Sequence, residues 1–63
     1  MWYFVEYNGK LLKATKRLKP AVDFIHRKDL KEDLDNHIVL CDSHGDMYHP
    51  FTGVLLKPWE ISV

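Results

Sequence analysis

The sequence predicts a small α+β domain in which a mostly antiparallel sheet carries one short helix on one face. Three observations indicate this fold class. An Asn-Gly dipeptide joins two strand-like segments, one helical segment with an apolar side follows them, and the remaining chain has short apolar runs separated by turn residues. With 63 residues, the chain is expected to form a single domain. The predicted order is β-β-α-β-β, with room for one extra strand at the end.

The first two strands are predicted to form a β-hairpin that turns at Asn8-Gly9. The segment before the turn is rich in aromatic and β-branched residues, and Asn-Gly accepts the positive φ angles of a type I′ turn. A two-residue loop sets the register of the strands. The expected facing pairs are Tyr7 with Lys10, Val5 with Leu12, and Tyr3 with Ala14.

This register gives the hairpin two faces that are both largely apolar. The expected core face consists of Tyr3, Val5, Leu12 and Ala14. The second face consists of Trp2, Phe4, Leu11 and Lys13. Because one short helix can cover only one face of a sheet, the second face is a candidate binding surface.

A helix is predicted over residues 20–28, with a proline in its first turn, where the missing N–H costs nothing. Its apolar pattern breaks near the end of that range. Asp29 followed by Glu32 resembles a capping box, which predicts a second helical turn over residues 30–35 that ends at Asn36. A single bent helix is the alternative interpretation.

The C-terminal half alternates apolar and turn segments. A buried strand is predicted from His37 to Cys41 because the run is apolar and contains β-branched residues. A turn is predicted at residues 42–46 and a return strand at residues 47–49, which Pro50 interrupts. Two further strand-like segments are predicted at residues 54–56 and 59–63.

Composition restricts the function classes. Cys41 is the only cysteine, so an intrachain disulfide is excluded and a reducing, cytoplasmic location is expected. No stretch approaches the roughly 18 apolar residues of a membrane span, so we expect no membrane partner.

The formal net charge is zero, but five basic residues and no acid lie between Lys10 and Lys19. Six acids and one lysine lie between Asp29 and Asp46.

Four residues have the side chains that zinc prefers: His37, Cys41, His44 and His49. In a straight strand His37 and Cys41 lie roughly 13 Å apart, so both cannot reach one ion. We therefore predict no metal or other cofactor and keep a small zinc-binding domain as the second alternative. The competing interpretation is a small buried thiol with histidines in turns or at the surface.

An enzyme is not expected. Cys41 and a nearby histidine could act as nucleophile and base, but such a reaction also needs a concave pocket and an oxyanion site, for which the chain is short. The carboxylates of Asp42, Asp46 and Glu60 have no evident pairing across a cleft.

The first hairpin also suggests a single-stranded nucleic-acid-binding module, in which aromatic side chains stack on bases and lysines hold phosphates. The basic residues in question are Lys10, Lys13, Lys16, Arg17 and Lys19. The competing interpretation is a solvated edge strand, where lysine prevents aggregation. Zero net charge argues against tight binding to a polyanion.

The preferred prediction is a small binding protein that contacts another protein, either a different chain or a second copy. The expected contact residues are Trp2, Phe4, Leu11, Lys13, Arg17 and Trp59. Tryptophan and tyrosine are enriched in interface hot spots. Alternatively, the segment around Trp59 folds across the second face and closes the domain. By base rate, free-standing domains of this size are often regulators or inhibitors from phages and mobile elements.

Overall fold

A computed structural model describes residues 1–57 and shows the predicted α+β fold. Four strands form one antiparallel sheet in the order β2-β1-β3-β4. One helix, α1, packs on one face of the sheet. The elements are β1 (Tyr3–Tyr7), β2 (Lys10–Thr15), α1 (Leu18–Arg27), β3 (Ile38–Asp42) and β4 (Met47–Tyr48).

The hairpin turn is the predicted one, but most of the predicted register is wrong. Asn8 and Gly9 both have positive φ, as a type I′ turn requires, and Tyr7 faces Lys10. Beyond that pair a β-bulge between Val5 and Glu6 shifts the register by one residue. Glu6 still faces Leu11 in the register set by the turn, and the shifted pairs are Val5 with Lys13, Phe4 with Ala14, and Tyr3 with Thr15.

The bulge adds Leu12 to β2 and thereby exchanges the faces of the residues that follow it. Lys13 faces Val5 and therefore lies on the helix side of the sheet, whereas it was predicted on the second face. Leu12 and Ala14 are exposed and do not belong to the core, contrary to the prediction. The helix-side positions of β2 are occupied by the exposed Lys13 and the buried Thr15 instead.

The second predicted helical turn does not form, because Asp29 ends the helix. Asp29 has a φ of 52°, and its N–H donates to the carbonyl of His26. The N–H of Leu30 donates to the carbonyl of Ile25, which completes a Schellman motif. Asp29 is therefore a left-handed C-terminal residue and not an N-cap. Residues 30–37 have no regular structure.

The core lies between α1 and one face of the sheet. It consists of Val5, Ala21, Ile25, Ile38 and Leu40, with partly buried aromatic residues around them. In β3 the buried positions alternate, so Ile38, Leu40 and Asp42 point toward the helix side. The other side chains of β3 point to the opposite face of the sheet.

The C-terminal part of the described chain forms less sheet than predicted. β4 has two residues, and Leu55 adds only an isolated bridge to Tyr48, so the strand predicted at 54–56 is reduced to one position. The strand predicted at 59–63 lies outside the described residues. Within residues 1–57, no helix has the length and apolar character needed to cross a bilayer.

Candidate functional site

In residues 1–57 the face of the sheet opposite α1 is largely apolar and carries no helix, and we call it the open face. Residues that face one another on adjacent strands have side chains on the same side. One row runs across all four strands through Ala14, Phe4, Cys41 and Met47. A second row contains Leu11, Glu6 and Val39. The open face is defined by these seven residues together with Trp2 and Lys16 at one end.

Trp2 continues the alternation of β1 and is fixed at the end of the open face. Its N–H donates to Ser43 Oγ at 3.1 Å, and its carbonyl accepts from the N–H of Ser43 at 2.9 Å. The Lys16 ammonium lies 5.5 Å from the centroid of the Trp2 ring, in a cation–π contact. Trp2 is nevertheless 44% exposed and Leu11 is 57% exposed. The backbone of this exposed tryptophan is thus held in place by the β3–β4 turn.

The structure places the predicted contact residues on different surfaces. Trp2, Phe4 and Leu11 share the open face, as the sequence predicted, although Phe4 faces Ala14 and Cys41 and not Lys13. Arg17 is the N-cap residue of α1, and its carbonyl accepts from Thr15 Oγ at 2.6 Å. Trp59 lies outside the described residues.

The candidate zinc ligands lie in different local settings. Cys41 is on the open face, the N–H of His37 donates to Asn8 Oδ1, and His44 sits in the turn held by Asp42. His49 Nδ1 accepts from the N–H of Phe51. Within residues 1–57 no three His, Cys, Asp or Glu side chains are grouped in a way that could hold a metal ion.

Burial raises the pKa of the Cys41 thiol, and the nearby carboxylates of Glu6 and Asp42 raise this pKa further. The thiolate is the form that acts as nucleophile or metal ligand, so these surroundings oppose both roles.

Asp42 organises the turn between β3 and β4. One of its oxygens accepts from the N–H groups of His44 and Asp46, and the other accepts from the Tyr48 hydroxyl at 2.7 Å. The bond from Tyr48 lowers the pKa of Asp42, and the same bond raises the pKa of Tyr48 above its ordinary value. This network positions Ser43, the residue that holds Trp2.

A cleft of about 710 Å³ lies beside the first half of β3. β4 pairs only with Leu40 and Cys41, and Pro50 follows at the point where pairing with β3 stops. The lining includes His37, Val39 and residues of the acidic segment after α1. The sequence indicated an interruption at Pro50, but the cleft itself depends on how the following loop packs.

A second cleft, of about 490 Å³, lies on the helix side and is lined by Lys13, Phe24, Arg27 and Lys28. The Lys13 and Lys28 ammonium groups each lie 5.9 Å from the centroid of the Phe24 ring. Sequence reasoning did not bring these residues together, because the register shift at Leu12 is what turns Lys13 toward the helix.

Together the features of residues 1–57 define a small α+β domain whose antiparallel sheet carries the helix and a basic cleft on one side and the apolar open face on the other. Comparison of the chain with family models, with curated proteins and with solved structures gave no match.

Proposed function

We propose that this chain is a small non-enzymatic binding protein whose open face contacts another protein. The observation that supports this function is the apolar row across all four strands, on the side of the sheet opposite the helix. Large exposed apolar patches on soluble domains often mark interaction sites, and tryptophan is enriched in hot spots. Trp2 and Leu11 supply exposed apolar surface at two positions of this face.

The rigidity of the open face supports the same proposal. A binding surface that is already ordered loses less conformational entropy when the partner arrives. The row lies on paired strands, and Ser43 holds the backbone of Trp2 through two hydrogen bonds. The open face therefore meets the requirement of a preorganised surface.

The non-enzymatic part of the proposal rests on Cys41, the one nucleophile that the sequence singled out. The raised pKa of its thiol keeps the side chain protonated near neutral pH. A regulator or inhibitor that occupies a surface of its target needs no such nucleophile. A cytoplasmic location and an origin in a phage or mobile element remain parts of this proposal, the first because a single cysteine suits a reducing compartment.

The proposal is tested by affinity capture from nuclease-treated native lysate with matched leucine variants. Leu11→Ser changes the open face, and Leu34→Ser makes the same change in the loop after α1, where Leu34 is 96% exposed. Burying a whole leucine contributes about 1.5–3 kcal/mol, so the 57% of Leu11 that is exposed can contribute about 0.9–1.7 kcal/mol to binding. We expect Leu11→Ser to weaken capture roughly 4- to 18-fold and Leu34→Ser to leave it unchanged.

Trp2→Ala separates binding from folding. If the proposed function is correct, this variant no longer captures the partner, and its melting temperature changes little. A large drop in melting temperature places Trp2 in the core and contradicts the proposal, as does equal capture by wild type and Leu11→Ser. Sedimentation of the purified chain tests the version in which the partner is a second copy. A partner that disappears after nuclease treatment favours the nucleic-acid alternative.

A further inference from the structure

The cleft between β2 and the C-terminal end of α1 concentrates positive charge without a carboxylate in its lining. Its four lining residues are three cations and one aromatic ring: Lys13, Arg27, Lys28 and Phe24. Two of the ammonium groups share the same ring at 5.9 Å each. In the described chain the ion pair of α1 is Lys19 with Asp23, outside this cleft. The cleft is therefore a local basic site in a chain whose net charge is zero.

The fold explains only some of the positive charges in this cleft. The C-terminal end of a helix attracts cations, which explains Arg27 and Lys28 near that end of α1. The helix dipole does not explain Lys13, which reaches the same cleft from β2 after the bulge. Like charges that line one cleft repel one another, and a cation–π contact at an exposed site contributes only about 0.5–1 kcal/mol. An anion in the cleft offsets this repulsion, and three cations outweigh the roughly half negative charge at the C-terminal end of the helix.

We propose that this cleft binds a phosphate group. Arg27 offers a planar fork of N–H donors, and Lys13 and Lys28 offer compact ammonium groups close to the Phe24 ring. A phosphate monoester carries close to two negative charges and three acceptor oxygens, which suits three cations better than the single charge of a carboxylate. The phosphate can belong to a small phosphorylated molecule, or the three cations can contact neighbouring diesters of a single-stranded nucleic acid, each of which carries one charge. The cleft lies on the opposite side of the sheet from the open face, so this proposal is independent of the proposed function.

The first experiment is an NMR titration of the ¹⁵N-labelled chain with inorganic phosphate, with chloride replaced so that ionic strength stays constant. We expect the amide signals of Lys13, Phe24, Arg27 and Lys28 to shift together on one binding curve. The variant Arg27→Gln/Lys28→Gln should raise the Kd about tenfold. The control Lys19→Gln/Lys31→Gln removes the same net charge elsewhere and should leave the Kd unchanged.

The second experiment identifies the source of the phosphate with a short oligothymidylate. If each of the three cations neutralises one diester of the strand, the salt slope is about −2, which is a roughly 20-fold loss of affinity between 50 and 200 mM salt. In the double cleft variant the loss should fall to about threefold. If the amide signals shift with inorganic phosphate but not with the oligothymidylate, the ligand is a small phosphorylated molecule. If they shift with both, the ligand is a nucleic-acid backbone.

Three results overturn the proposal. They are the absence of phosphate-induced shifts in the cleft, an equal loss of affinity in the control variant, and equal or tighter binding of a hexaglutamate peptide at the same signals. Because all the substituted residues are exposed, folding of each variant is confirmed by unchanged signal dispersion outside the cleft.

Discussion

The N-terminal end of α1 can be stabilised at one residue. Arg17 occupies the N-cap with extended backbone angles, φ −132° and ψ 153°, and makes no side-chain cap hydrogen bond. The first turn contains no acidic residue. Helix N-termini favour an oxygen acceptor at the cap and negative charge nearby, and arginine supplies neither. The expectation is that Arg17→Asp stabilises the fold.

The magnitude follows from two contributions. A good N-cap side chain contributes about 1 kcal/mol, and replacing a positive by a negative charge at the helix N-terminus adds about 0.3–1 kcal/mol. The free energy of unfolding should therefore rise by about 1–2 kcal/mol. For a domain of this size, each kcal/mol raises the melting temperature by about 4–8 °C. Thermal denaturation followed by far-UV circular dichroism should show an increase of roughly 5–15 °C.

Two further variants separate the contributions. Arg17→Ala removes the charge without adding an acceptor, and Arg17→Asn adds an acceptor without a negative charge. The expected order of stability is Asp, Asn, Ala, Arg, from highest to lowest. A melting temperature of Arg17→Asp no higher than that of Arg17→Ala refutes the reasoning. If Arg17 contacts the partner, Arg17→Asp should also weaken binding while it strengthens the fold.

Three other predictions concern stability. Gly53→Ala should lower the melting temperature more than Gly45→Ala. Both glycines have positive φ, but only a Cβ added at Gly53 meets a neighbour, a methyl group of α1 at 3.2 Å, so the difference in melting temperature measures this clash. Tyr48→Phe should raise the pKa of Asp42 in an NMR titration, since it removes the hydrogen bond that lowers that pKa. The pKa values of Asp33 and Asp42 lie below their ordinary range, so the stability that these two carboxylates contribute should be fully present above roughly pH 5 and be lost as pH drops through the folded-state values. Urea midpoints that stay unchanged down to pH 2 would contradict this sign.

The sequence identified the hairpin but could not set its full register. Asn8-Gly9 accepts positive φ by local chemistry alone, so the turn and the Tyr7–Lys10 pair were predictable. Leu11 and Leu12 are both apolar, so the hydrophobic pattern of β2 fits either register. The bulge that decides between them depends on tertiary packing.

Asp29 shows a different limit of local reasoning. Aspartate is favoured at helix N-caps, and it also tolerates the left-handed conformation better than most residues. The sequence supports both roles, and the glutamate three residues later favoured the first. Packing of Leu30 against the core selects the second, because it draws the chain back toward Ile25 at the end of α1.

The two candidate surfaces have a common structural origin in the bulge. With regular pairing, Lys13 lies beside Phe4 and Leu11 and puts a cation in the middle of the open face. The added residue turns Lys13 to the helix side, where it lies over Phe24 near Arg27. The same shift brings Ala14 opposite Phe4 and makes the row across the sheet fully apolar. One residue in an edge strand thus separates an apolar surface from a basic one, and a chain without net charge can carry both.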